Sequence, residues 1–359
     1  HICLHPRAVA NNIVTVGSEG RGEILASLLD GTTMHTTAGT PKDDDNNNIN
    51  DHGNNTKNSS SSSTTTTRRS KRGFVTHTGT YNGVPVSIVL INMGYPNMDF
   101  FVREVRAVTT GPLRIVRLGS CAGLRPDLPV GSVAVASEGS VMIRQNPDAW
   151  EGTATRGEAQ GEPYLFHGVA PADEELSEAL LKELKRSLDG EAGGSDGGGG
   201  TAAVGCLNAS TDSFYSSQGV GRLDPSFEDR NSDILSSLLE RHPSAGSFEM
   251  ETFQLLHLAR LCRKSKVQAS AAAIVVREAE RLRESSSATT SIAQEIVSPC
   301  ALYLTRAHPS PPPRTLCSSS GTQLANRIAD DAIAIDRISR IERAAGEAAL
   351  RAVTSFGDA

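Results

Sequence analysis

The segment from Thr211 to Arg222 carries Phe214, Gln218 and Arg222 in that order. An aromatic face, an amide and a guanidinium along one loop suit a flat, polar ring. Phe214 can stack on such a ring, and Gln218 offers a donor and an acceptor side by side for an imide edge. Arg222 can stabilise negative charge on a carbonyl oxygen of a departing heterocycle. Downstream, Phe248-Glu-Met-Glu251 sets two carboxylates around a methionine, which suits a sugar with vicinal hydroxyls. Upstream, Arg117-Leu-Gly-Ser-Cys-Ala-Gly123 suits an oxyanion. Together the three segments read as base, ribose and phosphate subsites.

Short β-rich runs alternating with amphipathic ones must bring these segments together. Strands are expected at 13–16, 86–91, 115–118, 132–136, 202–207 and 271–276. Helices are expected at 22–29, 98–108, 173–188, 251–263 and 323–353. Phe101, Val102, Val105 and Val108 share one side of the second helix, with a period near 3.6. Ile328, Ile333, Ile335, Ile338 and Ile341 recur among charges in the last. The alternation implies an α/β domain with a central mixed, largely parallel sheet flanked by helices. In such folds, sites gather at the carboxyl ends of strands. Gly17, Gly94, Gly119 and the turn from Asn208 to Asp212 are expected to follow strands.

Two low-complexity stretches, about 32–69 and 283–320, interrupt the pattern. The first is rich in Asp, Asn, Ser and Thr, the second in Ser and Pro. Both are read as disordered insertions in a single domain spanning 1–359, because they lack the apolar side chains that offset chain entropy. The Gly-rich run 190–200 reads as a flexible loop.

The chain of 359 residues has a net charge of −6 and a pI near 5.9, which argues against a general nucleic-acid binder. The six cysteines form no CxxC pair, so a zinc ribbon or thioredoxin motif is not expected. Scattered single thiols suit a reducing compartment, and a cytoplasmic setting is expected. No apolar run approaches the ~20 residues that span a bilayer. The chain starts at His1 rather than Met, which leaves a targeting peptide open.

Ordered motifs give the chain a resemblance to the nucleoside phosphorylases, and within them it is most similar to uridine phosphorylases. The motifs are His1-Ile-Cys-Leu, Val16-Gly17 through Arg21, Arg72-Gly-Phe74, His77-Thr-Gly-Thr-Tyr, Asn92-Met-Gly-Tyr-Pro-Asn97 and Arg117-Leu-Gly-Ser120. Asp212-Ser-Phe-Tyr215 with Gln218 and Arg222, and Phe248-Glu-Met-Glu-Thr252, complete the set. The resemblance implies reversible phosphorolysis of a pyrimidine nucleoside in salvage, giving free base and ribose 1-phosphate. It implies phosphate contacts from Gly17, Arg21, Arg117 and Ser120, and from Arg72 of a neighbouring subunit. It implies ribose contacts from Met250, Glu251 and a neighbouring His1, and base contacts from Phe214, Gln218 and Arg222. Arg117, Arg222 and Glu251 would carry the catalysis. A homodimer or higher homo-oligomer follows, with nucleoside and phosphate as partners. No membrane, metal or organic cofactor is expected, because phosphate itself is the nucleophile.

Plainer readings stand beside these. Arg21 suits a salt bridge at a helix start, and Glu249 and Glu251 suit solvated charges at a helix N-terminus. Tyr215 reads as a core aromatic, and Arg68 and Arg69 as an exposed basic cluster. Gly17-Ser-Glu19 departs from the usual Gly-Asp-Pro of the phosphate loop, and Glu19 weakens anion binding unless it points away. The Gln-x-Arg of the base pocket is stretched to Gln218-Gly-Val-Gly-Arg222. Gly73 stands where bacterial relatives hold a monovalent cation with an acidic residue, so no such cation is expected. Alternatives are a purine nucleoside phosphorylase, a nucleoside hydrolase, and an inactive nucleoside-binding relative. Against the purine reading, residues 273–281 contain Glu278 and Glu280 but no aspartate.

Overall fold

Runs such as Asn12-Ile-Val-Thr-Val16 are apolar on both faces, the pattern of strands covered by helices on either side. In the computed structural model, residue 2 and residues 8–31, 65–150, 161–189, 202–219, 227–278 and 321–356 are described. In chain order the elements are β1 (Asn12–Val16), α1 (Glu19–Ala26), β2 (Thr66–Arg69), β3 (Val75–Tyr81), β4 (Val84–Leu90) and α2 (Tyr95–Val108). Then come β5 (Leu113–Gly123), β6 (Val133–Val135), β7 (Ser140–Gln145), β8 (Tyr164–Phe166), α3 (Glu174–Asp189), β9 (Ala203–Gly205) and β10 (Leu207–Thr211). The chain continues through α4 (Ile234–Arg241), β11 (Ala245–Glu249), α5 (Thr252–Leu261), β12 (Val267–Glu278) and α6 (Gly321–Thr354).

Among the described residues the strands form one mixed sheet in the order β2-β3-β4-β1-β5-β11-β10-β7-β8, with β12, β6 and β9 branching from β5. β5 organises it. Its first part runs parallel to β1, with Arg117 opposite Thr15, and all of it runs parallel to β12. Its last residues pair antiparallel with β11, with Ala122 opposite Phe248. The chain beyond Phe248 therefore travels back toward the middle of β5, where Arg117 lies. This junction of parallel and antiparallel pairing builds the site.

Helices cover both faces. On one side, Leu25 of α1, the Leu176, Leu180, Leu184 and Leu188 stripe of α3, and Ala345, Ala348 and Ala352 of α6 pack together with β1, β4 and β12. On the other, Met98, Phe101, Val102 and Val105 of α2 meet Leu255 and Leu256 of α5. α4 packs beyond them against β7, β10 and β11. No described helix is long and apolar enough to cross a membrane.

Several expected boundaries move. Residues Thr66–Arg69, read as part of the first insertion, form a strand paired with β3, so that stretch ends earlier. The run 202–207 divides into β9 and β10, which join different neighbours. α1 starts at Glu19 and ends at Ala26, ahead of the expected 22–29. Gly119 lies inside β5, and Asn208 to Thr211 is strand rather than turn. Residues 32–64, 190–200 and 283–320 lie outside the described residues, as do the side chains of Ile328, Ile333 and Ile335.

Phe101 is fully buried between α2 and the sheet. Phe101→Ala is expected to lower unfolding free energy by about 3–5 kcal/mol. Urea denaturation checks this, and a loss below about 1 kcal/mol would mean the layer carries little of the fold's stability.

Candidate active site

Arg117 projects from the middle of β5 and is 5 % exposed. Its Nη2 donates to Glu251 Oε2 and lies 3.3 Å from Glu249 Oε2. The guanidinium reaches them by folding over residue 119, on the same face of the strand. A Cβ at Gly119 would stand 1.7 Å from Arg117 Nη1. The glycine thus makes room for a side chain of its own strand.

The two carboxylates differ in role. Glu249 ends β11 and accepts the backbone N–H groups of Glu251 at 2.9 Å and Thr252 at 3.0 Å, capping α5. Ser210 Oγ donates to it and accepts from Phe253 N–H at 2.8 Å. Glu251 accepts from Gly94 N–H with its other oxygen, tying the start of α2 to the start of α5. Both glutamates are buried, which rules out solvated helix charges. Burial pushes the Glu251 carboxyl up; Arg117 pulls it down, and the Glu249 carboxylate pushes it up again, for a net rise. Burial lowers Arg117, but Glu251 and Glu249 more than restore it, so its affinity for a proton rises. Arg117 Nη1 and Ser18 Oγ are buried without a protein partner. Ser18 lies at the start of α1, beside Gly17 at the end of β1, and β1 is the neighbour of β5. Both atoms depart from the rule that buried polar groups are hydrogen-bonded.

A second cluster adjoins the first. Gln218 Nε2 donates to Thr211 Oγ1 at 3.1 Å and to the Glu249 carbonyl at 3.4 Å. Its Oε1 accepts from Arg277 Nη2 at 2.6 Å. Arg277 also lies over the Phe214 ring, 4.3 Å from the centroid. Phe214 meets Tyr215 edge-on at 5.1 Å. Tyr215 is 45 % exposed, which overturns its reading as a core aromatic. Arg277 escaped the functional reading of the sequence. Its only signal was position, just past the apolar run of β12 and on a strand that pairs all along β5.

The other expected residues divide. Arg21 is buried and donates to Glu342 of α6, to the Leu118 carbonyl and to Ser120 Oγ, so the salt-bridge reading and the placement beside Ser120 both hold. Gly17 precedes α1 at the same strand edge, and Met250 is half-buried between the two glutamates. Glu19 pairs with Arg69 of β2, which neutralises the charge expected to oppose an anion. Arg72 stands exposed on the turn between β2 and β3. That turn touches the one after β4 through Asn92 Nδ2 and the Gly73 carbonyl, at 3.4 Å. His1 and Arg222 lie outside the described residues.

A family profile for the phosphorylase superfamily matches residues 51–297. The chain belongs to the phosphorylase superfamily. Within the superfamily it is 29% identical over 191 residues to a uridine phosphorylase of Thermococcus kodakarensis, an overlap of 53% of this chain and 58% of that one. The match therefore spans little more than half the length of the curated relative. It is 35% identical over 75 residues to a DeoD-type purine nucleoside phosphorylase of Exiguobacterium sibiricum, 21% of this chain and 32% of that one. Among solved structures, one from a structural and catalytic study of two uridine phosphorylases of the oomycete Phytophthora capsici superposes with a TM-score of 0.70 at 31% identity. That superposition covers 100% of this chain and 96% of the other. A uridine phosphorylase of Vibrio fischeri shares the fold, with a TM-score of 0.55 at 16% identity over 99% of this chain and 96% of that one.

Two expectations follow from the cluster. A carboxyl whose folded value is raised contributes stability below its unfolded value, near 4.5, and loses it as pH rises through the folded value. The melting temperature of Glu251→Gln relative to wild type should therefore climb as pH rises above that point; a falling difference would show that pairing with Arg117 outweighs burial. Gly119→Ala should displace the guanidinium and weaken inorganic phosphate binding at least about tenfold, the scale of one charged hydrogen bond. Calorimetry checks it, and unchanged affinity would place the anion elsewhere.

Proposed function

We propose that this protein is a uridine phosphorylase, cleaving uridine with inorganic phosphate to uracil and ribose 1-phosphate. One observation carries the reading: a single chain of contacts runs from Phe214 and Arg277 through Gln218 and Glu249 to Arg117 and Glu251. The reading puts a polar ring and an anion on either side of one strand end. The relatives named as uridine phosphorylases support the same assignment.

Phosphate, held by Arg117 with Ser120, Arg21 and the backbone after Gly17, attacks the anomeric carbon. The bond to the base breaks and its electron pair passes into the ring. Gln218 and Arg277 offset charge arriving on the ring oxygens, and Arg222 joins them in this reading. Glu251, with Met250 beside it, takes the ribose hydroxyls and shares Arg117 with the phosphate. An attacking phosphate and a ring without need of protonation require no metal and no organic cofactor.

A cation at 277 favours a pyrimidine. It suits an oxygen gaining negative charge, whereas a purine leaving through a protonated ring nitrogen calls for a carboxylic acid.

Charge also argues for a partner subunit. Around the anion site the guanidiniums of Arg21 and Arg117 face the carboxylates of Glu342, Glu249 and Glu251. A dianion entering that set needs further positive charge. Arg72 is exposed on one turn and Met93, 73 % exposed, on the turn it touches, so a second copy can bury both and lend its Arg72 and His1. The described cysteines, Cys121, Cys206 and Cys262, are free thiols, which fits a reducing, cytoplasmic setting for pyrimidine salvage.

Uridine with phosphate should release uracil and ribose 1-phosphate, with inosine a poor substrate. Uracil release that ignores phosphate would point to a hydrolase; uridine binding without products would point to an inactive relative. Arg72→Ala should raise the KM for phosphate without shifting the melting temperature. A KM equal to wild type would mean the site is complete within one subunit.

A further inference from the structure

Arg21 and Glu342 stand 321 residues apart in sequence and form a buried pair, each 3 % exposed. Arg21 Nε and Nη2 both donate to Glu342 Oε1, at 3.1 and 2.7 Å. Nη2 also donates to Ser120 Oγ at 2.8 Å, and Nη1 to the Leu118 carbonyl at 3.3 Å. Of the five N–H groups of a guanidinium, one on Nη1 is left over. Ser120, having accepted from Arg21, directs its own proton elsewhere. It stands half-buried in β5, three residues beyond Arg117.

We infer that Glu342 is a positioning residue for phosphate: by locking Arg21 it fixes the Ser120 hydroxyl as a donor to the anion, making α6 a working part of the site. The inference rests on the phosphorolysis reading for its anion. The helices are built for the contact. Arg21 and Leu25 lie one turn apart on α1, as do Glu342 and Gly346 on α6. A Cβ at Gly346 would stand 2.5 Å from Leu25 Cδ1 and 2.9 Å from Leu25 Cγ. The glycine therefore sets the distance at which Glu342 meets Arg21.

The test titrates the full chain with inorganic phosphate alone, by calorimetry, and follows turnover of uridine separately. Glu342→Gln, which keeps the shape and removes the charge, should weaken phosphate binding at least about tenfold. The KM for uridine at saturating phosphate should stay within about twofold of wild type, as expected for a group that serves the anion alone. Gly346→Ala, which changes no charge, should weaken phosphate binding in the same direction and serves where Glu342→Gln fails to fold. In a Ser120→Ala background the effect of Glu342→Gln should shrink, because the two act as one unit. Unchanged phosphate affinity in both single variants overturns the inference, as does an equal loss for uridine and phosphate. Full additivity with Ser120→Ala overturns the route through the hydroxyl. Weakened phosphate binding in a protein that does not cleave uridine supports the inference and sinks the assignment of substrate.

Discussion

A guanidinium buried in the middle of a sheet must be balanced where it lies. Removing an ion from water costs several kcal/mol even after relaxation, so Arg117 is tolerable only with close counter-charges. Glu251 and Glu249 supply them. The pairing dictates much else. Residue 119 must lack a side chain, because the guanidinium occupies its space. β11 must run antiparallel to β5, because only that direction carries the two glutamates back from Phe248 toward Arg117. Gly94 must present its N–H to Glu251, which fixes where α2 begins. Two carboxylates on one guanidinium still leave Nη1 without a partner. The arrangement is satisfied from the carboxylate side and incomplete on the other.

Glu249 joins the halves of the site. Its carboxylate caps α5 and faces Arg117, while its carbonyl accepts from Gln218. Gln218, and with it Arg277 and Phe214, cannot shift without disturbing the strand end that carries Glu249. Such stiffness suits a displacement in which negative charge moves from an attacking phosphate to a departing ring. Fixed donors at both ends meet the charge without reorganising. Gln218 is fixed in turn: Arg277 takes its oxygen and Thr211 its nitrogen, which sets which way the amide faces.

The central architecture could be read in advance because its signals are local. Apolar runs such as Ile13 to Val16 and the period of Phe101, Val102 and Val105 follow from burial on two faces or one. Short strands with mixed composition could not be read this way. β7 begins with Ser140, which is buried but hydrogen-bonded to Asn208 at 2.6 Å, and β2 is all Thr and Arg. Their partners, not their own residues, make them strands. The same division holds in the site. Arg117, Gln218 and Glu251 stand in motifs whose spacing suggests chemistry, whereas Arg277 gains its role from the pairing of β12 with β5. Glu342 is further out of reach, since nothing in an amphipathic helix marks it over Glu347. Ion pairs between distant segments are properties of packing.

α1 and α6 meet through Arg21 and Glu342, and contacts of this kind explain how long polar stretches can interrupt the sequence. Asp30, just before residues 32–64, accepts from Asn82 and Gly83 N–H at 3.0 and 2.8 Å, and Glu19 pairs with Arg69 just after them. The two sides of the stretch are pinned to each other whatever lies between. Lengthening a loop with fixed ends costs only the logarithm of its length, about 0.6 kcal/mol per doubling. The ion pair of Arg21 with Glu342 ties α6 to α1 in the same way. Contacts between distant segments thus preserve the frame on either side of the interruptions.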